Sequence, residues 1–494
     1  MEKRELVIER SPGYIRAAVL EEGRLCELHD EREEGGARTE TLFYGRVQAV
    51  RPSLNAAFVE IGLELNAFLP LREGEVLRGG QWLIVQGAAQ QSTQTKGLRV
   101  SRKIQLAGRF LVMVPGESGV HVSQKVRDPR RRQELYRMAQ SVCPEGYALI
   151  VRTATEGVTA QTLEAEAREL DERWKAAVRK SLGMIRPGVL MARETLDMRL
   201  VRDLAGQGLE RIVTNSPDCI QAVHAAMQEG KIAPETRAEF FDEEKRAQRL
   251  FDALNLETQI ERALRRRIWL PCGGYLVIDF CEAMTVIDVN SGKMTQGTDV
   301  EETALRVNLE AVYESARQIR LRDVGGIVII DLIDMQEEAS RDAVIAAMKE
   351  AAAQDRVPVS VEGLTRLGLL ELTRRRGDAQ LGRNLRTTCS CCHGLGEVLS
   401  SEEVARRAMR QAHRMVLSGQ RGPFVIRCGA TAAQELEKMA LPMEAEVYAL
   451  AAPGYHREKF DIEQMGEEKS PPQGAKRLTP VTLRMRDDEE NAGP

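Results

Sequence analysis

Two apolar segments near the middle of the chain each carry acidic side chains that could bind a cation. Residues 283–293 read AMTVIDVNSGK, and residues 325–334 read GGIVIIDLID. Runs of Val and Ile bounded by Gly predict buried strands, and a carboxylate on such a strand is costly unless it has a partner. Side chains alternate along a strand, which puts Asp288 and Asn290 on one face. Asp331 closes the second apolar run, where open sheets place their ligands.

The residues between these two segments predict a helix. Residues 298–301, TDVE, form a capping-box pattern, and apolar residues follow at helical spacing: Leu305, Leu309, Val312, Ala316 and Ile319. A strand–helix–strand unit forms a right-handed crossover, which would bring Asp288 and Asp331 near each other. Two carboxylates beside an amide suit Mg²⁺ or Mn²⁺, but each Asp could equally be a strand-end residue satisfied by backbone amides. The spacing alone leaves both interpretations open.

Six blocks of this region carry a long, ordered and nearly ungapped similarity to a known family. They are GGY at 273–275, IDVNSG at 287–292, EET at 301–303, NLE at 308–310, RLRDVGG at 320–326 and IDLIDM at 330–335. Together they resemble the catalytic core of the ribonuclease E/G family, a match more specific than any short motif. The resemblance implies that Asp288 and Asp331 hold a catalytic Mg²⁺ and that Asn290 orients the site.

The composition of the whole chain is typical of a soluble, cytoplasmic protein with several domains. At 494 residues the chain is too long for one core and indicates about three or more domains. The formal net charge of −4 means that any basic surface for nucleic acid must be local. The nine Cys are odd in number and mostly scattered, which fits a reducing cytosol. The chain has no apolar leader and no run of membrane-spanning length, so no membrane association is expected.

Short strand patterns between residues 41 and 107 predict a small barrel. The pattern resembles an RNA-binding OB fold. Phe58 and Phe68 could stack on RNA bases, but Phe is usually buried, so the residues alone favour the barrel core. The family resemblance implies instead that Phe58, Phe68 and Lys96 bind RNA.

The strand pattern ALIVRT ends in an Arg–Thr pair, Arg152 and Thr153. The planar fork of an arginine beside a hydroxyl suits a terminal phosphate. The resemblance implies a sensor for an RNA 5′-monophosphate at this pair, with Val122 helping to seat the terminal base. Gln124 and Lys125 stand where family members often have two Arg, which predicts a weaker pocket.

Three consecutive arginines, Arg265, Arg266 and Arg267, precede the acidic segments. They could line an RNA path, or they could cap the C-terminus of the preceding helix. The residues alone favour the capping role.

The densest cysteine cluster of the chain is TCSCCHGLG at residues 388–396. Cys389 and Cys392 form a C-x-x-C followed closely by Gly, the pattern of a zinc knuckle. Structural zinc takes four ligands, so either Cys391 and His393 complete the site locally or two chains each supply a pair. We favour the shared site, because the side chains of adjacent cysteines diverge, and the resemblance also implies a zinc-linked homodimer or larger homo-oligomer. Ser replaces the family's usual Pro in the motif, and a lone C-x-x-C leaves open that no metal binds.

The predicted fold class is multidomain, with α/β and β parts. The resemblance implies an RNase H-like domain in two parts (1–40 and 213–268), an inserted OB-fold RNA-binding barrel (41–107), a 5′-sensor region (108–212), a DNase I-like catalytic α/β domain (269–388), a zinc-link (389–396), a small α+β dimerisation domain (397–465) and a disordered tail (466–494). The Pro-, Lys- and Glu-rich composition of the tail supports its disorder. The chain looks like a short form of the family, without the extended disordered half of the long members.

The family resemblance implies a Mg²⁺-dependent endoribonuclease. Its substrate would be single-stranded, A/U-rich RNA, its activity would be stimulated by a 5′-monophosphate, and its products would carry 5′-phosphate and 3′-hydroxyl ends, in ribosomal RNA processing and messenger RNA decay. The alternative is a non-catalytic, zinc-linked RNA-binding scaffold, for which the barrel and the knuckle would suffice. The acidic set argues against this alternative, because buried carboxylates that face an RNA polyanion bring no advantage to a pure binder.

Overall fold

The computed structural model describes residues 3–32, 39–72, 74–88, 97–123, 126, 128–152, 158–205, 208–292, 300–375, 385–439, 445–466 and 470–478. The chain divides into two compact units, Met1–Leu385 and Arg386–Pro494. Within the described ranges, no helix is both long enough and apolar enough to cross a membrane.

The strands of the first unit are β1 (Arg4–Ser11), β2 (Tyr14–Glu21), β3 (Arg24–Arg32), β4 (Leu42–Arg51), β5 (Ala56–Glu60), β6 (Ala67–Pro70), β7 (Trp82–Gly87), β8 (Val100–Ser101), β9 (Leu106–Ala107), β10 (Leu111–Pro115), β11 (Gly119–Val122), β12 (Tyr147–Val151), β13 (Gly188–Met191), β14 (Leu209–Thr214), β15 (Arg237–Phe240), β16 (Arg267–Trp269), β17 (Tyr275–Phe280), β18 (Met284–Asn290), β19 (Gly326–Asp331), β20 (Val359–Leu364) and β21 (Leu369–Arg374). Its helices are α1 (Pro129–Val142), α2 (Ala160–Leu182), α3 (Leu196–Leu204), α4 (Pro217–Gln228), α5 (Glu243–Arg246), α6 (Leu250–Ala253), α7 (Leu256–Ala263), α8 (Val300–Leu321) and α9 (Glu338–Ala353). The second unit contains α10 (Ser401–Leu417), β22 (Phe424–Cys428), α11 (Ala430–Lys438), β23 (Val447–Ala451), β24 (Phe460–Gln464) and β25 (Lys476–Arg477).

The first sheet combines strands from two distant parts of the chain, in the order β15-β14-β1-β2-β3. β14 runs parallel to β1, and the β1–β2–β3 meander is antiparallel. Leu6 and Ile8 pack in one apolar core with α3 and α4, whereas Val7 lies in a second core with Phe251 of α6. Both faces of this sheet are therefore buried, as the continuous apolar run in β1 requires.

The second sheet is a nearly closed barrel with the order β6-β5-β4-β7-β8. Arg99, beside β8, forms a bridge back to Phe68 in β6, and β13 adds to β4. The interior is filled by apolar side chains from alternate positions, among them Phe43, Val59 and Leu69. This arrangement is consistent with the predicted OB-like fold.

A third sheet of the first unit has the order β11-β12-β10-β9. Leu135 of α1 and Leu163 of α2 are fully buried in the core that covers it. The half-buried carboxylate of Glu166 in α2 accepts backbone N–H bonds from Arg109, Phe110 and Leu111, which ties α2 to the start of β10.

The fourth sheet carries the acidic segments, in the order β16-β17-β18-β19-β21-β20. β18 and β19 are parallel neighbours joined through α8, so the predicted strand–helix–strand crossover is confirmed. α8 and α9 cover one face of the sheet, with Leu276, Ile287 and Ile330 in the shared core. The predicted capping residues 298–299 lie outside the described residues. Glu301 accepts backbone N–H bonds from Gln336 and Glu337, which ties the start of α8 to the loop after β19.

Buried ion pairs hold the fourth sheet and its helices against the first sheet. Arg356, just after α9, pairs with Glu27 of β3, and Arg320 of α8 pairs with Glu21 of β2. These carboxylates are largely withdrawn from solvent, and removing one partner of such a pair leaves a charge without compensation.

The second unit has a four-stranded sheet in the order β24-β22-β23-β25, packed on α10 and α11. Phe424 and Ile426 of the central β22 are fully buried. The prediction of a disordered tail from residue 466 is wrong for residues 470–478, because β25 pairs with β23 and Leu478 is buried in the core. An apolar side chain that covers the sheet edge stabilises this part of a mostly polar segment.

Candidate active site

Asp288 and Asp331 lie side by side on adjacent strands of the fourth sheet. They are register partners in the parallel pairing of β18 with β19, and neighbouring strands lie about 4.8 Å apart. Register partners point to the same face, and both residues are exposed. The structure therefore brings the two predicted acids together on one accessible surface.

The alternation of side chains explains why the acids are accessible although their strands are apolar. Ile287, Val289 and Ile330 point into the core with α8 and α9, so Asp288 and Asp331 point to the opposite face of the sheet. The apolar runs alone suggested that these carboxylates would be buried at a cost in free energy, and this geometry avoids that cost. The face of the fourth sheet opposite α8 and α9 is called the open face below.

Asn290 completes the cluster on the open face. Its amide Nδ2 donates a hydrogen bond of 2.7 Å to Oδ2 of Asp288. Among the described residues, no Lys or Arg forms an ion pair with either Asp288 or Asp331, and no backbone N–H donates to them. The alternative that each Asp is a strand-end residue satisfied by backbone amides is therefore not what the described contacts show.

The donor set fits a hydrated divalent cation. Within the described ranges no group of three or more His, Cys, Asp or Glu side chains is placed to hold a metal ion. Mg²⁺ does not require such a group, because it commonly binds one or two carboxylates and takes its other ligands from water and phosphate. Two adjacent carboxylates without a basic partner provide that minimum.

Arg266 is a basic residue of this region whose partner the sequence did not reveal. Its guanidinium pairs with Asp279 of β17, with 2.6 Å between Nη2 and Oδ2. The hydrogen bond and charge of Asp279, and more weakly the charge of Asp288, raise the pKa of Arg266. The predicted role of Arg266 in capping the preceding helix is wrong, because the side chain lies on the sheet beside the acids.

The sequence of this region also matches a known family. Residues 105–377, more than half of the chain, match the Ribonuclease E/G family. The chain belongs to the ribonuclease E/G family.

Individual relatives extend this similarity along almost the whole chain. Ribonuclease G of Escherichia coli strain K12 is 33% identical over 490 residues, which cover 93% of this chain and 99% of that protein. Ribonuclease G of Haemophilus influenzae is 32% identical over 492 residues, covering 94% and 99%. Ribonuclease E of Escherichia coli strain K12 is 33% identical over 430 residues, which cover 83% of this chain but 40% of that protein.

The two barrel phenylalanines of this ribonuclease E/G family member lie outside the barrel core. Phe58 and Phe68 are register partners on β5 and β6, with ring centroids 6.0 Å apart in an edge-to-face arrangement. Both rings are half-buried, whereas their neighbours Ala57 and Val59 are fully buried. The core position that the residues alone favoured is therefore wrong. Lys96 lies outside the described residues.

Arg152 directly follows β12, and its side chain forms a hydrogen bond and an ion pair within the chain. Its guanidinium donates to the carbonyl of Gly108 at 2.6 Å and pairs with Oδ1 of Asp203 at 2.9 Å. Val122, at the end of the adjacent β11, is buried. Thr153, like Gln124 and Lys125, lies outside the described residues. Asp203 is a partner that the local motif could not indicate, because it comes from α3.

The cysteine cluster forms a tight turn in the second unit. Leu395 donates its N–H to the carbonyl of Cys392 at 2.8 Å, and His393 has a left-handed backbone with φ of 49°. Backbone N–H bonds from Cys392 and Cys391 lower the pKa of the Cys389 thiol. A turn that directs backbone N–H groups at a cysteine sulfur favours the thiolate, the form that binds zinc.

Proposed function

We propose that this protein is a Mg²⁺-dependent endoribonuclease that cleaves single-stranded RNA by hydrolysis. The observation that carries the proposal is the register pairing of Asp288 with Asp331 on the open face, with Asn290 bound to Asp288. Membership of the ribonuclease E/G family supports the RNA substrate, since the matched relatives are named ribonuclease G and ribonuclease E.

The three polar residues of the open face have distinct roles in this proposal. Asp288 and Asp331 are the residues that would hold the ion. When bound, Mg²⁺ lowers the pKa of a coordinated water and neutralises charge that develops on the scissile phosphate. The amide of Asn290 fixes the orientation of the Asp288 carboxylate, as partners of metal-ligating carboxylates commonly do.

The family resemblance supplies the finer description of the reaction. The products carry 5′-phosphate and 3′-hydroxyl ends, cleavage prefers A/U-rich segments, and the substrates are ribosomal RNA precursors and messenger RNAs. The barrel would hold the strand through Phe58, Phe68 and Lys96. The two half-buried rings support this role, because aromatic faces on the outside of an OB-type barrel serve as stacking platforms for bases.

The same proposal includes stimulation by an RNA 5′-monophosphate bound at Arg152, Thr153 and Val122. Arg152 is held in place by Gly108 and Asp203, which supports a pre-oriented guanidinium. Asp203 also competes with a phosphate for that guanidinium, so the sensor is expected to be modest in strength.

We also propose a structural Zn²⁺ shared between two chains through Cys389 and Cys392, which makes the protein a homodimer or larger homo-oligomer. The shared site is supported because the described residues of one chain contain no group of three metal-binding side chains and because zinc takes four ligands. All nine Cys are free thiols, which supports a reducing, cytoplasmic location.

The decisive experiment incubates a 5′-monophosphorylated, A/U-rich RNA oligonucleotide with the wild type in Mg²⁺, the wild type in EDTA, and Asp288→Asn in Mg²⁺. The proposal expects cleavage in the first reaction alone, with product ends that carry 5′-phosphate and 3′-hydroxyl groups. Equal RNA binding with no cleavage in any of the three would establish the non-catalytic scaffold instead. Cleavage that persists in EDTA would overturn the metal-dependent mechanism.

A further inference from the structure

An exposed aromatic cluster lies on the open face next to the candidate active site. Trp269 of β16 is 62% exposed, and its ring lies 5.2 Å from that of Tyr275 on β17, measured between centroids. The guanidinium carbon of Arg267 lies 4.5 Å from the centroid of the Tyr275 ring. Trp269, Tyr275 and Arg267 are called the aromatic platform below.

The sheet register puts the aromatic platform and the acids on one surface. Trp269 is the register partner of Tyr275, and Tyr275 is the register partner of Asn290. The intervening residues Ile268 and Leu276 point the other way, into the core with α8. The platform therefore begins one strand spacing from Asn290, roughly 5 Å, and extends to the sheet edge at roughly 10 Å.

The exposure of this tryptophan has no explanation in the packing of the described residues. Aromatics make up 4% of the chain, which has three Trp, and an indole ring that is mostly exposed leaves its apolar surface in water. The preceding residue of the same strand, Ile268, is only 9% exposed because its side chain points to the other face of the sheet. An exposed ring beside a polar site is typical of a surface that binds something planar and apolar.

The charge on the platform indicates what that ligand is. Among the described residues, no carboxylate pairs with Arg267, which lies over an aromatic ring with its charge accessible. Two adjacent aromatic rings beside a guanidinium that no described carboxylate neutralises suit a nucleotide, because the base can stack on the indole while the phosphate meets the cation. A second protein chain would require neither an accessible cation nor closeness to the acids.

We infer that the aromatic platform stacks one unpaired base of the RNA strand, next to the phosphate that lies at Asp288 and Asp331. This inference rests on the proposed function and adds a base-binding site to it. The stacked base would fix the position of the strand along the open face, so the platform determines which phosphate reaches the acids.

The test uses a series of single-stranded RNA oligonucleotides in which one abasic site is moved along the sequence. Binding is measured by fluorescence anisotropy with full-length Asp288→Asn, which keeps the RNA intact, and with the same chain that also carries Trp269→Ala. We expect one abasic position to weaken binding to Asp288→Asn by about 5-fold or more, and this difference to disappear with Trp269→Ala. Trp269→Phe, which keeps an aromatic ring, should keep most of the difference in affinity between intact and abasic RNA.

Phe240→Ala is the matched control, since Phe240 is an exposed ring on a different sheet and its loss should leave the abasic profile unchanged. The same abasic profile with and without Trp269 would overturn the inference, as would a profile in which no position matters. Loss of the oligomer in light scattering, with an unchanged abasic profile, would assign Trp269 to a contact between chains instead. Abasic-sensitive binding without Mg²⁺-dependent cleavage by the wild type would refute the endoribonuclease and leave the platform standing.

Discussion

Asp288 and Asp331 lie side by side because β18 and β19 pair in parallel with these two residues in register. They are 43 positions apart in the chain, from 288 to 331, and α8 carries the chain back across the other face of the sheet between them. A shift of one residue in this register would send one carboxylate toward α8 and the core. The proposed metal site therefore depends on the packing of α8 as much as on the acids.

Asp331→Asn and Asn290→Ala should separate the metal ligands from the residue that orients them. We expect Asp331→Asn to reduce kcat by more than about 100-fold, and Asn290→Ala by about 10- to 100-fold, because the second removes only the hydrogen bond to Asp288. Glu371→Gln is the matched control, since Glu371 lies on the same face but one strand beyond Asp331. Equal losses for Glu371→Gln and Asp331→Asn would contradict a specific role. Single-turnover cleavage rates across a Mg²⁺ titration provide the measurement.

Phe58→Ala and Phe68→Ala should weaken RNA binding without unfolding the barrel. Each ring is half-buried and outside the core, so we expect a loss of about 1–3 kcal/mol in binding free energy for each. Phe43→Ala, which removes a fully buried ring from the same barrel, should instead cost about 3–5 kcal/mol of stability. Anisotropy titrations and urea unfolding distinguish the two effects. Unchanged affinity in both surface variants would remove the barrel rings from the RNA path.

Arg152→Ala should reduce the preference for RNA with a 5′-monophosphate over RNA with a 5′-hydroxyl. The guanidinium can form charge-assisted hydrogen bonds with a terminal phosphate, each of about 1.5–3 kcal/mol, once it leaves Asp203. Arg130→Ala is the control, because Arg130 is an exposed arginine at the start of α1. The ratio of kcat/KM for the two substrates is measured for each protein. A ratio that Arg152→Ala leaves at the wild-type value would discard the sensor.

Cys389→Ser should remove zinc and reduce the mass of the assembly. If two chains share one ion through Cys389 and Cys392, then each chain binds half an ion, and loss of one thiolate pair abolishes the site. Metal analysis and light scattering of the wild type and the variant provide the two readouts. Cys428→Ser, at a fully buried cysteine on β22, should retain both zinc and mass. A wild type without zinc would end this part of the proposal.

Acid should weaken the contact between the first and fourth sheets. Burial raises the pKa of Glu27, but Arg356 and His29 lower it by more, so its pKa lies well below the ordinary value of 4.5. A carboxylate with a depressed folded-state pKa stabilises the fold fully above about pH 4.5, and this contribution is lost as the pH falls through the folded value. We expect Glu27→Gln to cost about 3–5 kcal/mol at pH 7, because the half-buried guanidinium of Arg356 loses the charge of Glu27.

Urea unfolding at several pH values tests this linkage. The fall in stability below pH 4.5 should be smaller in Glu27→Gln than in the wild type. Glu244→Gln, at an exposed position of α5, should reproduce the wild-type pH profile. An unchanged acid slope in Glu27→Gln would show that other carboxylates control the acid transition.

Much of the fourth sheet could be predicted from local pattern. Apolar runs bounded by Gly predicted β18 and β19, and helical spacing predicted α8, because alternation and the helical repeat are properties of a few consecutive residues. The resemblance then identified Asp288 and Asp331 as the predicted metal ligands. The burial of the aromatic rings was harder to predict, because hydrophobicity alone puts Phe58 in a core and gives no reason for Trp269 to be exposed.

The sequence by itself determined that Asp288 and Asn290 share a face and that Asp331 ends an apolar strand, because these relations depend on spacing within one element. The crossover pattern predicted that Asp331 would lie near Asp288, but only the tertiary structure decided that the two are register partners. The same holds for the pairing of Arg266 with Asp279 and for the platform of Tyr275 and Trp269 beside the acids. The physical reason is that strand register follows from the packing of whole helices and sheets, which no short stretch of sequence contains.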